Sequence, residues 1–388
     1  MIRHIASLIL LIASAAPLAA QSFDTRASAA YVYDMSTGTV LMAKNADEPL
    51  PPASMSKLMT LYMVFDAIVK GNITVDDRIG VSEYCQQYDG STMFLDSTDR
   101  VRVEDLLRGV IVLSGNDASC VLAEGLSGTE ANFAQQMTVR ARQLGMMNST
   151  FTNSNGWPAV GHRMSVRDLG MLAQLLISDF PTFYPLFAEE TFEFDGRAPA
   201  NVNNRNPLLG LGIGADGLKT GHTQEAGYGL VGSAKQGDRR IIFVLTGMES
   251  TQARAEEARN IVNWAFRQFT QRDIARGGTR IAQAEVWRGE QPLVGLLLQE
   301  DLSLLVPTSG GSEISAEVVY NGPIQAPIAQ GDAIAELVIR LENLSETRVP
   351  LVADVSIASG GFSSRLLTAA GVLIERINTP DTTSVEAE

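Results

Sequence analysis

Apolar positions near the start of the chain alternate before they cycle. Residues 29–44, AAYVYDMSTGTVLMAK, place two strand-like runs on either side of Ser-Thr-Gly, the pattern of a hairpin. Pro51-Pro52 then opens a helix that the pattern carries to about Lys70–Gly71, and its interior, LMTLYMVFDAIV, is apolar nearly all round. A helix with so little polar face belongs inside a domain. Over 101–180 the spacing turns amphipathic in VEDLLRGVIVL, ANFAQQMTVRARQLG and SVRDLGMLAQLLISD, so this stretch reads as mostly helical. From Tyr228, YGLVGSAKQGDRRIIFVLTGM reads as two strands around Gln-Gly-Asp, followed by a last helix over about 251–270.

Beyond about residue 275 the texture changes. EVWRGEQP, SLLVP, EISAEVVYNG, AIAELVI and VPLVADVSI are short alternating runs broken by Gly and Pro, which marks a second, β-rich domain. Residues 362–377 line Phe362, Leu366, Ala370, Leu373, Ile374 and Ile377 along one helical face, ahead of an acidic tail. The division that follows is 1–20, 21–272, 273–360 and 361–388.

The first of those segments changes the setting of all the others. MIRHIASLILLIASAAPLAA has a basic start, a short apolar run and small residues at its end, the pattern of a secretory signal cut after Ala20. Export puts Cys85 and Cys120 in an oxidising compartment, where they can pair, but two cysteines do not build a scaffold. His4, His162 and His222 are scattered, so no cluster has the spacing of zinc ligands. The net charge of −14, with no basic stripe, excludes a nucleic-acid partner. An anionic ligand would have to be held by local cations.

Candidate chemistry comes from three short patterns in order: Ser54-Met-Ser-Lys57, Ser114-Gly-Asn116 and Lys219-Thr220-Gly221. Any one of them is weak, since a Ser-x-x-Lys is also a helix start and Ser-Gly-Asn also a turn. Ser54 and Lys57 share a helix face, whereas Ser56 lies about 200° round from Ser54 and cannot take its place. A serine hydroxyl needs an adjacent base to become a nucleophile. Lys57 can be that base if burial and a neighbouring cation, Lys219, lower its pKa. Ser114 can pass a proton, and Asn116 can orient Lys57 and a substrate carbonyl.

With these motifs, PPAS ahead of the helix, GSTMFL at 90–95, SGND, KTGHT running into AGYGLVGSA, and the TGMES…R…NWAFR segment, the chain resembles the low-molecular-mass penicillin-binding proteins, serine-type D-alanyl-D-alanine carboxypeptidases. The resemblance covers nearly the whole mature chain. It implies an α/β (α+β) fold: a penicillin-binding/serine β-lactamase-like catalytic domain with an antiparallel sheet and a helical subdomain, then a small β-rich domain. It implies that Ser54 is acylated by the penultimate D-alanine of peptidoglycan stem peptides, and by β-lactams. Lys57 is then the base, Ser114 and Asn116 serve proton transfer and orientation, and the N–H groups of Ser54 and His222 form the oxyanion hole. Lys219, Thr220, Gly221 and Arg254 hold the substrate's terminal region. For Arg254, a local pair with Glu257 is the competing reading. No metal or organic cofactor is implied. The implied location is the periplasm, with peripheral membrane association through 362–377.

Two departures from the family pattern stand out. Asn155-Gly156 occupies the place of a His-Gly pair, and the C-terminal helix is poorer in aromatic and basic residues than in membrane-bound relatives. Three other functions compete. A D,D-endopeptidase would share the machinery. A class A β-lactamase would need a Glu-x-x-Leu-Asn stretch, which is absent between Asn116 and Lys219. A non-catalytic wall-binding scaffold would not need the intact motifs.

Overall fold

The computed structural model describes residues 23–197, 201–308, 314–341, 344 and 346–361. The signal segment 1–20 and the helix and tail at 362–388 lie outside the described residues. The hairpin forms as read, with β1 (Ala29–Asp34) paired to β2 (Thr39–Lys44). The helix after Pro51-Pro52 begins differently. A 3-10 turn covers Ala53–Ser56, and α1 proper runs Lys57–Val69. Leu58, Leu61 and Phe65 of α1 are fully buried, each contributing roughly 1.5–3 kcal/mol.

A small ribbon, β3 (Arg78–Gly80) with β4 (Arg100–Arg102), flanks α2 (Glu83–Gln86). The helical subdomain continues with α3 (Val103–Arg108), a π-turn over Gly109–Leu113, α4 (Asn116–Ser127), α5 (Glu130–Gln143) and α6 (Val166–Asp179). Cys85 of α2 is disulfide-bonded to Cys120 of α4.

Three strands complete the main sheet: β5 (Ala215–Thr223), β6 (Gly227–Gln236) and β7 (Arg239–Met248). The order is β2-β1-β7-β6-β5, with every adjacent pair antiparallel. The run IIFVL in β7 is apolar throughout because both its faces are covered. Ile242 and Val244 join the core under α1, α4 and α6, while Ile241, Phe243 and Leu245 join a second core under α7 (Thr251–Gln268). The last helix therefore stops at Gln268, and buried Phe269, packed edge-on to Trp264, starts β8 (Phe269–Ala275) with no intervening loop.

The β-rich part follows as β9 (Arg280–Trp287), β10 (Leu293–Leu298), β11 (Leu302–Pro307), β12 (Ile314–Val319), β13 (Ile324–Gln325), β14 (Ala333–Leu341) and β15 (Thr347–Ala353). Six of them form one sheet in the order β12-β14-β15-β10-β9-β13, and β11 pairs with β8. This region has its own apolar core, with Leu296, Leu337 and Leu351 at its centre.

Candidate active site

The 3-10 turn decides how the first motif is presented. With three residues per turn, positions i and i+3 eclipse, and Lys57 Nζ comes to 2.9 Å from Ser54 Oγ. Ser56 points the other way: it is fully buried and donates to Ala53 O at 3.2 Å. Gly156 permits this packing. It sits at φ +80°, and a Cβ there would meet Ala53 O at 1.9 Å.

Lys57 is fully buried, and burial pushes its pKa well below 10.5. Its other two contacts are Asn116 Oδ1 at 2.7 Å and the Asn155 carbonyl at 2.6 Å. Asn116 is oriented by its own Nδ2, which donates to Asp89 O at 2.8 Å. Both partners are therefore acceptors. A neutral amine has two N–H donors and one lone pair, so two acceptors leave the lone pair for the Ser54 hydroxyl. Because Asn155 serves through its backbone, the departure from a His-Gly pair leaves this contact intact.

The second motif is set by the π-turn, which ends on Ser114 in the left-handed region, φ 62° and ψ 34°. That conformation costs a non-glycine residue about 1–2 kcal/mol. It is held by Gly115 N–H donating to Gly109 O at 2.9 Å and by Arg205 Nη2 donating to Leu113 O at 2.6 Å. Asp117 ties the preceding segment down, accepting from the N–H groups of Met93 and Leu95 at 3.0 and 3.1 Å.

The third motif lies on β5, the edge of the main sheet. An edge strand keeps one row of backbone groups without strand partners, available to an extended peptide. Gly221 lets β5 press against the Ser54 turn, since a Cβ there would lie 3.0 Å from both Pro52 O and Met55 Cγ. Lys219 is buried and donates to Thr220 O at 3.3 Å. His222 is exposed, its ring stacked on Tyr228 at 3.9 Å. Beside it opens a cleft of ≈ 500 Å³ lined by Thr223, Glu225, Tyr228 and Glu249.

Arg254 on α7 is buried and reaches over the Tyr228 ring at 5.9 Å. The competing local pair with Glu257 does not form. Glu257 is taken by Thr25 Oγ1 at 2.6 Å and by Arg26. Arg254 donates only weakly, to Arg205 O at 3.3 Å, and its Nε is buried without a partner. Burial, with Arg205 nearby, lowers its pKa to about 10.

Arg205 was invisible in the sequence, lying in a loop without periodicity. After burial, it is the cation that most lowers the pKa of Lys57, the part expected of Lys219. Lys219 is itself pushed well below 10.5 by burial and then by Arg205, Lys57 and Arg254. Arg205 is fixed by Ser91 Oγ at 2.8 Å, and its loop is tied to β5 by Asn206 Nδ2 donating to Gly217 O at 2.9 Å. Lys57, Arg205, Lys219 and Arg254 thus gather with no carboxylate ion-paired to any of them among the described residues. Among those residues the one grouping with metal-like spacing is Cys85, Cys120 and Glu124, and its sulfurs are bonded to each other.

The D-alanyl-D-alanine carboxypeptidase family profile matches residues 15–250, and that of the penicillin-binding protein 5 C-terminal domain matches residues 269–359. The D-alanyl-D-alanine carboxypeptidase DacC of Escherichia coli (strain K12) is 35% identical over 357 residues, 89% of this chain and 88% of that protein. Penicillin-binding protein 5 of Haemophilus influenzae superposes with a TM-score of 0.76 at 33% identity, covering 87% of this chain and 99% of that one. Penicillin-binding protein D2 of Listeria monocytogenes, solved with ampicillin bound, is 30% identical with a TM-score of 0.57, covering 62% and 98%. The chain belongs to the D-alanyl-D-alanine carboxypeptidase family and carries its β-rich C-terminal domain.

Proposed function

We propose that this protein is an exported, periplasmic serine carboxypeptidase that removes the terminal D-alanine from peptidoglycan stem peptides through an acyl-enzyme on Ser54. The observation that carries the reading is Lys57 Nζ at 2.9 Å from Ser54 Oγ with its other two contacts both acceptors, in a site where burial favours the neutral amine. Lys57 takes the hydroxyl proton as Ser54 attacks the penultimate D-alanine carbonyl. The backbone N–H groups of Ser54 and His222 stabilise the resulting oxyanion, and Ser114 relays the proton to the departing D-alanine nitrogen. Asn116 holds Lys57 and the substrate amide. Lys219, Thr220, Gly221 and Arg254 receive the terminal carboxylate side, for which Arg254 Nε is an unused donor. Water then hydrolyses the ester and restores Ser54.

In this reading residues 21–272 do the chemistry and 273–360 form an accessory domain. Residues 362–377 add at most reversible association with the membrane surface. Among the described residues, no helix is long and apolar enough to cross a membrane. A β-lactam enters as a mimic of the D-Ala-D-Ala bond and acylates the same serine.

Two measurements test the proposal. Peptide mapping after labelling with penicillin should place the adduct on Ser54, with labelling lost in Ser54→Ala and retained in Ser56→Ala. Mass spectrometry of a digested pentapeptide stem should show loss of one D-alanine. A label on Ser56 removes the nucleophile assignment, and separation of two joined stems in place of D-alanine loss identifies an endopeptidase.

A further inference from the structure

We propose that Glu130 is a positioning residue for this reaction, fixing Lys57 through Ser154 and the carbonyl of Asn155; the proposal rests on the Ser54–Lys57 reading above. Glu130 sits in the first turn of α5, where an acid would ordinarily face solvent and favour the helix dipole. Here the side chain is buried, and its carboxylate accepts four hydrogen bonds. Oε1 takes Ser154 N–H at 3.0 Å and Ser154 Oγ at 2.5 Å, and Oε2 takes Tyr84 OH at 3.0 Å and Tyr88 OH at 2.6 Å. Among the described residues it has no ion-pair partner. Burying a carboxylate without a cation is costly, so these donors are needed to hold it there.

What it holds is the two-residue clamp on α1. Ser154 O accepts from Thr60 Oγ1 at 2.5 Å, and the next carbonyl, of Asn155, accepts from Lys57 Nζ at 2.6 Å. Lys57 and Thr60 are three residues apart on one helix face, so the clamp grips the face that presents the base. Removing the carboxylate leaves both Ser154 donors without their acceptor and lets the Asn155 carbonyl drift from Nζ. The same carboxylate contributes charge. Within electrostatic reach of Lys57 lie Arg205, Lys219 and the His162 imidazole, with Asp117 and Glu130 as the opposing acids. Loss of the Glu130 charge therefore lowers the basicity of Lys57.

The test is the rate of acylation by a fluorescent penicillin, measured from about pH 5 to 10, with thermal unfolding of each variant alongside. Glu130→Gln keeps an acceptor for Ser154 and removes the charge. Its acid limb should move to lower pH by roughly half a unit, with no more than a few-fold loss on the plateau. Glu130→Ala removes the anchor as well, and its acylation should slow about 10- to 100-fold in protein that still unfolds cooperatively. An unshifted acid limb in Glu130→Gln overturns the proposal, as does native-rate acylation in Glu130→Ala. Should Glu130→Ala not fold, Glu130→Asp, which keeps the charge and draws the acceptor back from Ser154, decides in its place, and native-rate acylation there overturns the proposal. Failure of the parent reading would show separately, as wild-type label on a residue other than Ser54.

Discussion

Arginine and lysine live two different lives in this molecule. On the β-rich sheet, Arg340 bridges Glu317 and Glu346 at 2.7 Å each, and Arg348 bridges Glu336 and Glu346 at 2.8 and 2.7 Å. These side chains are about half exposed, and each cation has its carboxylate. Around Ser54 the arrangement reverses: Lys57, Lys219 and Arg254 are buried, Arg205 lies exposed beside them, and none of the four is ion-paired to a carboxylate among the described residues. Exposed pairs contribute little because water already solvates both partners. Cations gathered close together oppose folding, and in return they leave positive potential for a ligand to use. The same side-chain types thus serve as surface cross-links in one domain and as an unpaired cluster beside Ser54 in the other.

The sharpest test of that contrast is Lys57→Ala, which should slow acylation by about 10²–10⁴-fold while circular dichroism shows an intact fold. Normal acylation in a folded variant would remove Lys57 from the chemistry. Arg254→Ala comes next. Loss of a charge-assisted hydrogen bond should lower kcat/KM about 10- to 150-fold on a peptide ending in a carboxylate, and far less on the C-terminal amide. Equal losses on both substrates would make Arg254 structural.

Stability provides a smaller effect with a definite sign. Lys219 is held below its ordinary 10.5, so as pH falls through that value the unfolded chain binds a proton that the native state resists. The wild type loses stability on that descent, and Lys219→Met does not. The variant should therefore unfold at higher temperature near neutral pH, by about 2–4 °C for each kcal/mol recovered. The gain should disappear above pH 10.5. At the far end of the scale, Arg348→Ala should leave the melting temperature and peptide cleavage unchanged within error. A measurable loss there would break the contrast between the two regions.

How much of this could be read from the residues varies with the range of the interaction. The hairpin, the strands around Gln-Gly-Asp and the three motifs are local patterns, legible because spacing of two, three or four residues fixes who shares a face. Arg205 and Glu130 were not legible. One lies in a loop whose only signal is its approach to Leu113 and Ser91, and the other looks like any acid at a helix start. Glu257 is the opposite case: spacing alone offers it to Arg254 three residues away, but it is claimed by Thr25 and Arg26 from the far end of the chain. The left-handed Ser114 likewise follows from a π-turn that no apolar periodicity announces.

The bond between Cys85 and Cys120 encloses the stretch that carries Arg100, Ser114 and Asn116. Within that closed ring Ser97, Thr98 and Arg100 are exposed. A protease that cuts the backbone after Arg100 therefore opens a ring and releases no fragment. The piece bearing Ser54 and Lys57 and the piece bearing Ser114 and Lys219 stay covalently joined through two sulfurs. Asn116, four residues from Cys120, stays leashed to the half that contains its partner Lys57.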